Sequence, residues 1–368
     1  LAKGLAQHGH QVRIVSLIGR KGDLGKGVSQ ARIPGPDHME EIVLRPFGLT
    51  LLGILSFKVG LFPFWAWVWL KILGPFSKKL SDLIQGSDVV MADFPFLYPV
   101  FAAAPKTIRV LNTHNIETRL ARGRISKSLV SYLENRACES AELITACSVS
   151  DGAYFSKLFK AKVLVIPNTI DGTQFSKDLE KRLEIRNELK VTDRKVCLFS
   201  ASAYGPNLEA FEFLNSFAER HSAFLEEKKI VFLVIGSVAP KDLSGENFLV
   251  MGRVDSVAPY FLGADFALNP IFRGEGTSIK VAEYLAAELP LLTTSIGARG
   301  YSLAPGESAF FFSGEDFKDQ LEALIRHPKL HRLTAKALEE NRSSFSAKGA
   351  AEPLCKWFES RKSKASER

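Results

Sequence analysis

Apolar residues in this chain recur as short, nearly unbroken runs separated by stretches of helical period. Residues 11–17, 88–92, 108–112, 143–147 and 163–166 are such runs in the first half, and 196–200, 230–236, 248–252, 266–269 and 291–294 repeat the pattern in the second. Runs this short and this apolar predict strands covered by helices on both faces, and helical segments over 129–142 and 150–158 fall between them. A chain of 368 residues exceeds what one core usually fills, and the alternation begins afresh near residue 196. The expected class is therefore α/β, with two doubly wound domains over 1–178 and 179–345, then a terminal helix and polar tail over 346–368. The glycine- and charge-rich residues 21–38 read as a loop.

Residues 1–8 read as a helix already under way and closed by Gly9, so a first strand and its loop are expected to precede it. The most apolar segment, 45–71, has the length of a membrane span. Lys58 near its centre would cost about 2.5–3.5 kcal/mol there, and Pro63 interrupts a helix, so packed helices are the preferred reading. A membrane-facing edge with Trp65, Trp67 and Trp69 at the interface is the intermediate alternative.

One loop stands apart from this framework. Residues 273–278, Arg-Gly-Glu-Gly-Thr-Ser, open a short amphipathic helix that stops at Pro290. Helix starts gather unpaired N–H groups and partial positive charge, and glycines admit a ligand close to the backbone, so the loop suits a phosphate. Glu275 in the loop and Glu283 in the helix have no core role in this pattern. Ligands of open parallel sheets bind beyond the carboxyl ends of the strands. His114, Ser202, Gly236, Gly252 and Arg253 fall at such ends, and small residues dominate there.

Forty-eight basic and forty acidic residues leave a formal charge of +8, which permits anionic partners. No arginine-rich run interleaved with aromatics is present, so a nucleic-acid partner is not expected. Cys138, Cys147, Cys197 and Cys355 lack metal-ligand spacing and read as free buried thiols of a reducing compartment.

The interval from Glu275 to Glu283 resembles the paired-glutamate signature, Glu-x7-Glu, of family 4 retaining glycosyltransferases with the GT-B architecture, in the subgroup that reads Gly-x-Gly-Thr-x-x-Lys before the second glutamate. Residues 114–117, 165–171 with Phe175, 204–207, 252–254, and 264–265 before Asn269-Pro270 are similar to the same family in the same order. The resemblance implies two Rossmann-like domains facing a central cleft, and retaining transfer of a sugar from a nucleotide-sugar donor to a sugar or lipid-linked acceptor. No cofactor or metal is implied. By position Glu275 would meet the donor sugar, Glu283 the ribose, and Gly274, Gly276, Thr277 and Ser278 the diphosphate. The turn at Gly252 and Arg253 would border the base, and His114 would lie near the donor sugar. Many members carry an Arg and a Lys after the first strand of the second domain. Here residues 202–207 hold neither, so Arg273 and Lys280 are the expected substitutes.

Plainer readings stand beside these. Glu283 and Lys280 have the spacing of a surface ion pair, Thr277 of a helix cap, and Arg253 the setting of a solvated loop cation. A nucleotide-sugar-binding protein without turnover, or a sugar-nucleotide epimerase, would share the fold. The expected location is cytoplasmic, with peripheral contact at the inner face of the membrane as the alternative.

Overall fold

A strand without a polar position cannot face water on either side, and every residue of Ile230–Ile235 is buried. The computed structural model describes residues 1–16, 29–31, 39–43, 80–121, 123–170, 172–175, 177–240 and 243–366. They fall into two compact units, Leu1–Asn168 with Ala347–Arg368, and Thr169–Ser346.

In the first unit, β1 (Val12–Ser16), β2 (Ser29–Ala31) and β3 (Met39–Val43) form a sheet in the order β1-β3-β2. β1 runs parallel to β3, and β2 antiparallel. The strand β2 lies inside the stretch read from sequence as a loop. Its residues Ser29, Gln30 and Ala31 carry no apolar pattern, and it is a strand because it pairs with β3. A second sheet holds β4 (Val89–Asp93), β5 (Ile108–Thr113), β6 (Leu143–Ala146) and β7 (Lys162–Val165), all parallel and in chain order. The terminal helix Ala347–Ser366 packs Ala350, Leu354, Trp357 and Phe358 on Val110 and Leu143 of this sheet, and also meets the helix Ala2–Gln7. There Gly4 permits the crossing, since a Cβ on it would stand 2.0 Å from the Ala347 carbonyl oxygen.

The second unit is built on β8 (Lys195–Ser200), β9 (Ile230–Ile235), β10 (Phe248–Gly252), β11 (Phe266–Asn269), β12 (Leu291–Thr293) and β13 (Phe310–Phe311). All are parallel, in the order β10-β9-β8-β11-β12-β13. Successive side chains alternate between two cores. Cys197, Phe199, Phe232 and Val234 join Phe211, Leu214 and Phe317 on one face. Val196, Leu198, Val231 and Leu233 join Phe261, Val281 and Tyr284 on the other. The sequence-based boundary at 178 differs from the division by contacts. Ile170 N–H donates to the Ser344 carbonyl at 3.1 Å, and the tilted ring of Phe175 has its centre 4.8 Å from that of Phe261, which places these residues in the second unit.

The apolar segment 45–71 lies outside the described residues. Among the described residues, no helix is long and apolar enough to cross a membrane.

The helix Leu179–Glu188 is polar on average and is held by charge. Arg186 donates to Asp265 at 2.9 Å and to the Gly263 carbonyl at 2.8 Å, and Arg182 pairs with the same carboxylate. Asp265 also accepts from Val196 N–H at 2.8 Å, tying the helix to β8. Arg186 is 7% exposed and also donates to the Val191 and Arg194 carbonyls, so removing it leaves these acceptors and that of Gly263 without their donor and costs about 2 kcal/mol, while Asp265 keeps Arg182. We expect Arg186→Leu to lower the urea midpoint of the second unit accordingly. Lys177→Ala, which breaks an exposed pair with Glu288, should cost less than about 1 kcal/mol in the same measurement.

Candidate functional site

The strand order of the second unit reverses between β8 and β11, and the segments leaving these two strands border that switch point. After β8, the Ser202 carbonyl accepts from Tyr204 N–H at 2.8 Å and from Asn207 Nδ2 at 2.9 Å. This turn starts the helix Gly205–Arg220, with Pro206 in its first turn. After β11 comes the loop 273–278, and Ser278 occupies the N-cap of the helix Ile279–Ala286 without a side-chain cap bond. The two segments are joined by Lys280, whose Nζ donates to Asn207 Oδ1 at 2.8 Å and lies 4.8 Å from the centre of the Phe199 ring. Further along the same helix, Tyr284 is fully buried and its hydroxyl accepts from Ser200 N–H at 2.8 Å.

Charge is costly in this corner. Burial lowers the Lys280 ammonium to about 7, against the opposing attraction of Glu283. Burial likewise pushes the Glu283 carboxyl up, with Lys280 opposing it. The spacing that suits a surface ion pair is here a half-buried pair of groups, each short of solvent. Glu275 is half-buried between its glycines, and Gly276 is buried.

Arg273 is exposed at the head of the loop. Its guanidinium grips both carboxylate oxygens of Glu209, through Nε at 2.7 and 2.6 Å. That pair already satisfies the cation expected from sequence to face a phosphate. The loop is instead held from behind by Arg299, which sequence reasoning did not single out. Its Nε donates to the Gly276 carbonyl at 2.7 Å, and its Nη1 donates to that of Gly274. Asn207 was likewise quoted only as part of a motif. An arginine between glycines, in Gly297-Ala298-Arg299-Gly300, is a legible signal for Arg299; it gains meaning once β12 is known to lie beside β11.

Gly236 and Gly252 meet at the ends of β9 and β10, where Gly236 N–H donates to the Gly252 carbonyl at 2.7 Å. Arg253 follows as an exposed residue. Ser237 Oγ accepts from Ala203 N–H at 3.1 Å, which ties this edge to the turn holding Ser202.

His114 lies in the first unit, at the end of β5, in a polar group of its own. Its Nε2 is 3.7 Å from Asp93 Oδ1, and its ring is 4.8 Å from that of Phe94, a non-glycine residue at φ +77°. Asn112 donates to Asp93 at 2.6 Å and accepts from Thr145 Oγ1 at 2.6 Å. Burial pushes the Asp93 carboxyl up, but the nearby His114 imidazole and the hydrogen bond from Asn112 outweigh it and hold the group below its ordinary value. Among the described residues, no three His, Cys, Asp or Glu side chains converge as a metal site would require.

A parallel sheet with a helix-opening loop at its switch point is the arrangement by which α/β proteins hold phosphate-bearing ligands. Two family models match the chain. Residues 1–174 match Glycosyltransferase Family 4, and residues 194–327 match glycosyl transferases group 1. The fold is shared with a sucrose-phosphate synthase from Thermosynechococcus elongatus, with a TM-score of 0.70 at 14% identity over 98% of this chain and 92% of that one. It is also shared with Anabaena HepE solved in complex with UDP and glucose, at 0.65 and 14%, covering 88% and 87%. A trehalose 6-phosphate synthase from Burkholderia multivorans matches at 0.68 and 12%, covering 96% and 90%. No curated protein matches the chain significantly in sequence. The two family matches and the shared fold support a glycosyltransferase with the GT-B architecture and two Rossmann-like domains.

The close approach at Gly236 yields a stability test. At φ +102°, a Cβ there would stand 2.1 Å from the Ala201 carbonyl oxygen, which is backbone. We expect Gly236→Ala to lower the thermal midpoint of the second unit by several degrees, on the scale of about 2 kcal/mol.

Proposed function

We propose that this chain transfers a sugar from a nucleotide-sugar donor to an acceptor hydroxyl with retention at the anomeric carbon and without a metal. The observation that carries the reading is the loop 273–278 at the β8/β11 switch point, with Lys280 bridging to Asn207 beside it. Breaking the bond to the anomeric carbon leaves negative charge on the departing diphosphate. Preoriented N–H groups at the start of Ile279–Ala286, together with Lys280, would receive that charge. Gly274, Gly276, Thr277 and Ser278 form the cradle in this reading. Glu275 accepts hydroxyls of the donor sugar and Glu283 those of the ribose, since a carboxylate takes two hydrogen bonds and fixes their direction. Gly236, Gly252, Arg253 and Ser202 border the nucleotide. His114, oriented by Asp93, is the group of the first unit assigned to the sugar hydroxyls. HepE, solved with UDP and glucose, is one neighbour whose bound molecules fit this substrate class. The acceptor is a sugar or a lipid-linked sugar, and for the latter the protein would work at the inner face of a membrane.

A second reading is a nucleotide-sugar binder without turnover. The exposed pair of Arg273 with Glu209 favours it, because one of the two expected cations is already neutralised.

Donor cleavage across a panel of nucleotide-sugars tests both. In the presence of EDTA the wild type should release nucleoside diphosphate at an undiminished rate, and Glu275→Gln should be slowed about 100-fold with its thermal midpoint unchanged. Equal rates in the two proteins would overturn the assignment of Glu275. Tight binding with no release in either would establish the second reading.

Lys280 adds a pH signature. Its folded value, about 7, lies below the unfolded 10.5, so the cost of burying its charge is present below about pH 7 and is relieved as pH rises towards 10.5. At pH 8.5 the amine is mostly neutral, and a diphosphate placed beside it restores the charge. Calorimetry of UDP binding in two buffers of different ionisation enthalpy should therefore show proton uptake at pH 8.5. The uptake should vanish in Lys280→Met, and equal heats in both buffers for the wild type would contradict the placement.

A further inference from the structure

We infer that Arg299 is a positioning residue that sets the direction and strength of the hydrogen-bond donors in the loop 274–278; the inference rests on the donor-binding reading above. The turn that carries it is rigidly seated. Asn269, fully buried at the end of β11, donates through Nδ2 to the Gly297 carbonyl at 2.9 Å. Thr294 Oγ1 accepts from Gly297 N–H at 2.9 Å and donates to the Ile271 carbonyl, and Ala298 N–H donates to the Thr294 carbonyl at 3.0 Å. The turn after β12 is thus bolted to the segment that leads into the loop. It also touches the loop directly. Gly300 stands at φ +89° with the Thr277 methyl so close that a Cβ would fall 2.1 Å from it.

From this seat Arg299 reaches the carbonyls on either side of Glu275, those of Gly274 and Gly276. A trans peptide is planar, and its carbonyl and the following N–H point in opposite directions. Fixing these two carbonyls towards Arg299 therefore fixes the N–H groups of Glu275 and Thr277 away from it. The guanidinium also polarises both peptide units, which makes those N–H groups stronger donors to a developing anion. The cation acts through two peptide planes and needs no contact with the ligand. A lysine has no fork to span both carbonyls.

Such donors matter most when charge appears on the leaving group, so their loss should fall on turnover rather than on ground-state binding. The test compares donor cleavage by wild type, Arg299→Lys and Arg299→Ala, with thermal midpoints and with millimolar guanidinium chloride added to the Ala variant. The expected result is a fall in kcat of about 30-fold for Arg299→Ala, with donor KM changed less than about threefold. Arg299→Lys should be intermediate, and added guanidinium should restore part of kcat in the Ala variant alone. A wild-type kcat in Arg299→Ala, or a loss that follows a lowered midpoint and is not rescued, would overturn the inference while leaving the proposed function in place. If the wild type neither binds nor cleaves any nucleotide-sugar, the proposed function fails and this inference fails with it.

Discussion

The second unit depends on how the polar ends of two neighbouring parallel strands, β11 and β12, are satisfied after the ladder between them stops. Backbone groups there are buried and must be paired. Asn269, Thr293 and Thr294 supply the pairing: Asn269 reaches Gly297, Thr293 Oγ1 lies 3.2 Å from the Asn269 carbonyl, and Thr294 links Ile271 to Gly297. Gly297 has no room for a side chain in this knot, since a Cβ would stand 2.5 Å from Thr293 Oγ1. The turn after β12 and the segment leading into the loop 273–278 are both fixed at this junction. It aims the turn bearing Arg299, and through Arg299 it shapes the loop bearing Glu275.

The first unit solves the same problem with a different group. Asn112 stands between Asp93 and Thr145, so one amide joins the ends of β4, β5 and β6. His114 is held above this group by Asp93 and by the Phe94 ring, and its own carbonyl accepts from Cys147 Sγ at 3.0 Å. Just beyond it, buried Glu134 accepts from Glu117 N–H at 2.8 Å and from Thr118 Oγ1 at 2.6 Å, which anchors the segment that follows. In both units a short polar side chain at a strand end does the work, because it satisfies neighbouring backbone and orients a larger group in one step.

Much of this was legible before any coordinates. The ten predicted strands all occur, with ends displaced by a residue or so, because six-residue runs such as Ile230–Ile235 have only one way to be buried on both faces. That residues 273–278 open a helix was legible too, from glycines followed by a helical pattern. What escaped was whatever takes its identity from a partner. The strand β2 is defined by β3, and β13, only Phe310–Phe311, by β12. Nor could the sequence show that Arg273 pairs with Glu209, 64 positions away. The hydropathy of the helix Leu179–Glu188 could not reveal that two arginines on it converge on Asp265.

The sequence by itself determined the class of fold, the place where the second series of strands begins, and the loop and following helix that carry Glu275 and Glu283. Those features are encoded locally, in periodicity, glycine and helix-start chemistry, which act over a few residues. Only the tertiary structure decided which cations are spent and which are poised. Lys280 is held near neutrality by burial, while Arg273 and Arg299 carry full engagements of different kinds, one to a carboxylate and one to two carbonyls. The reason is physical: the energy of a charge depends on its surroundings across the fold rather than on its neighbours in the chain.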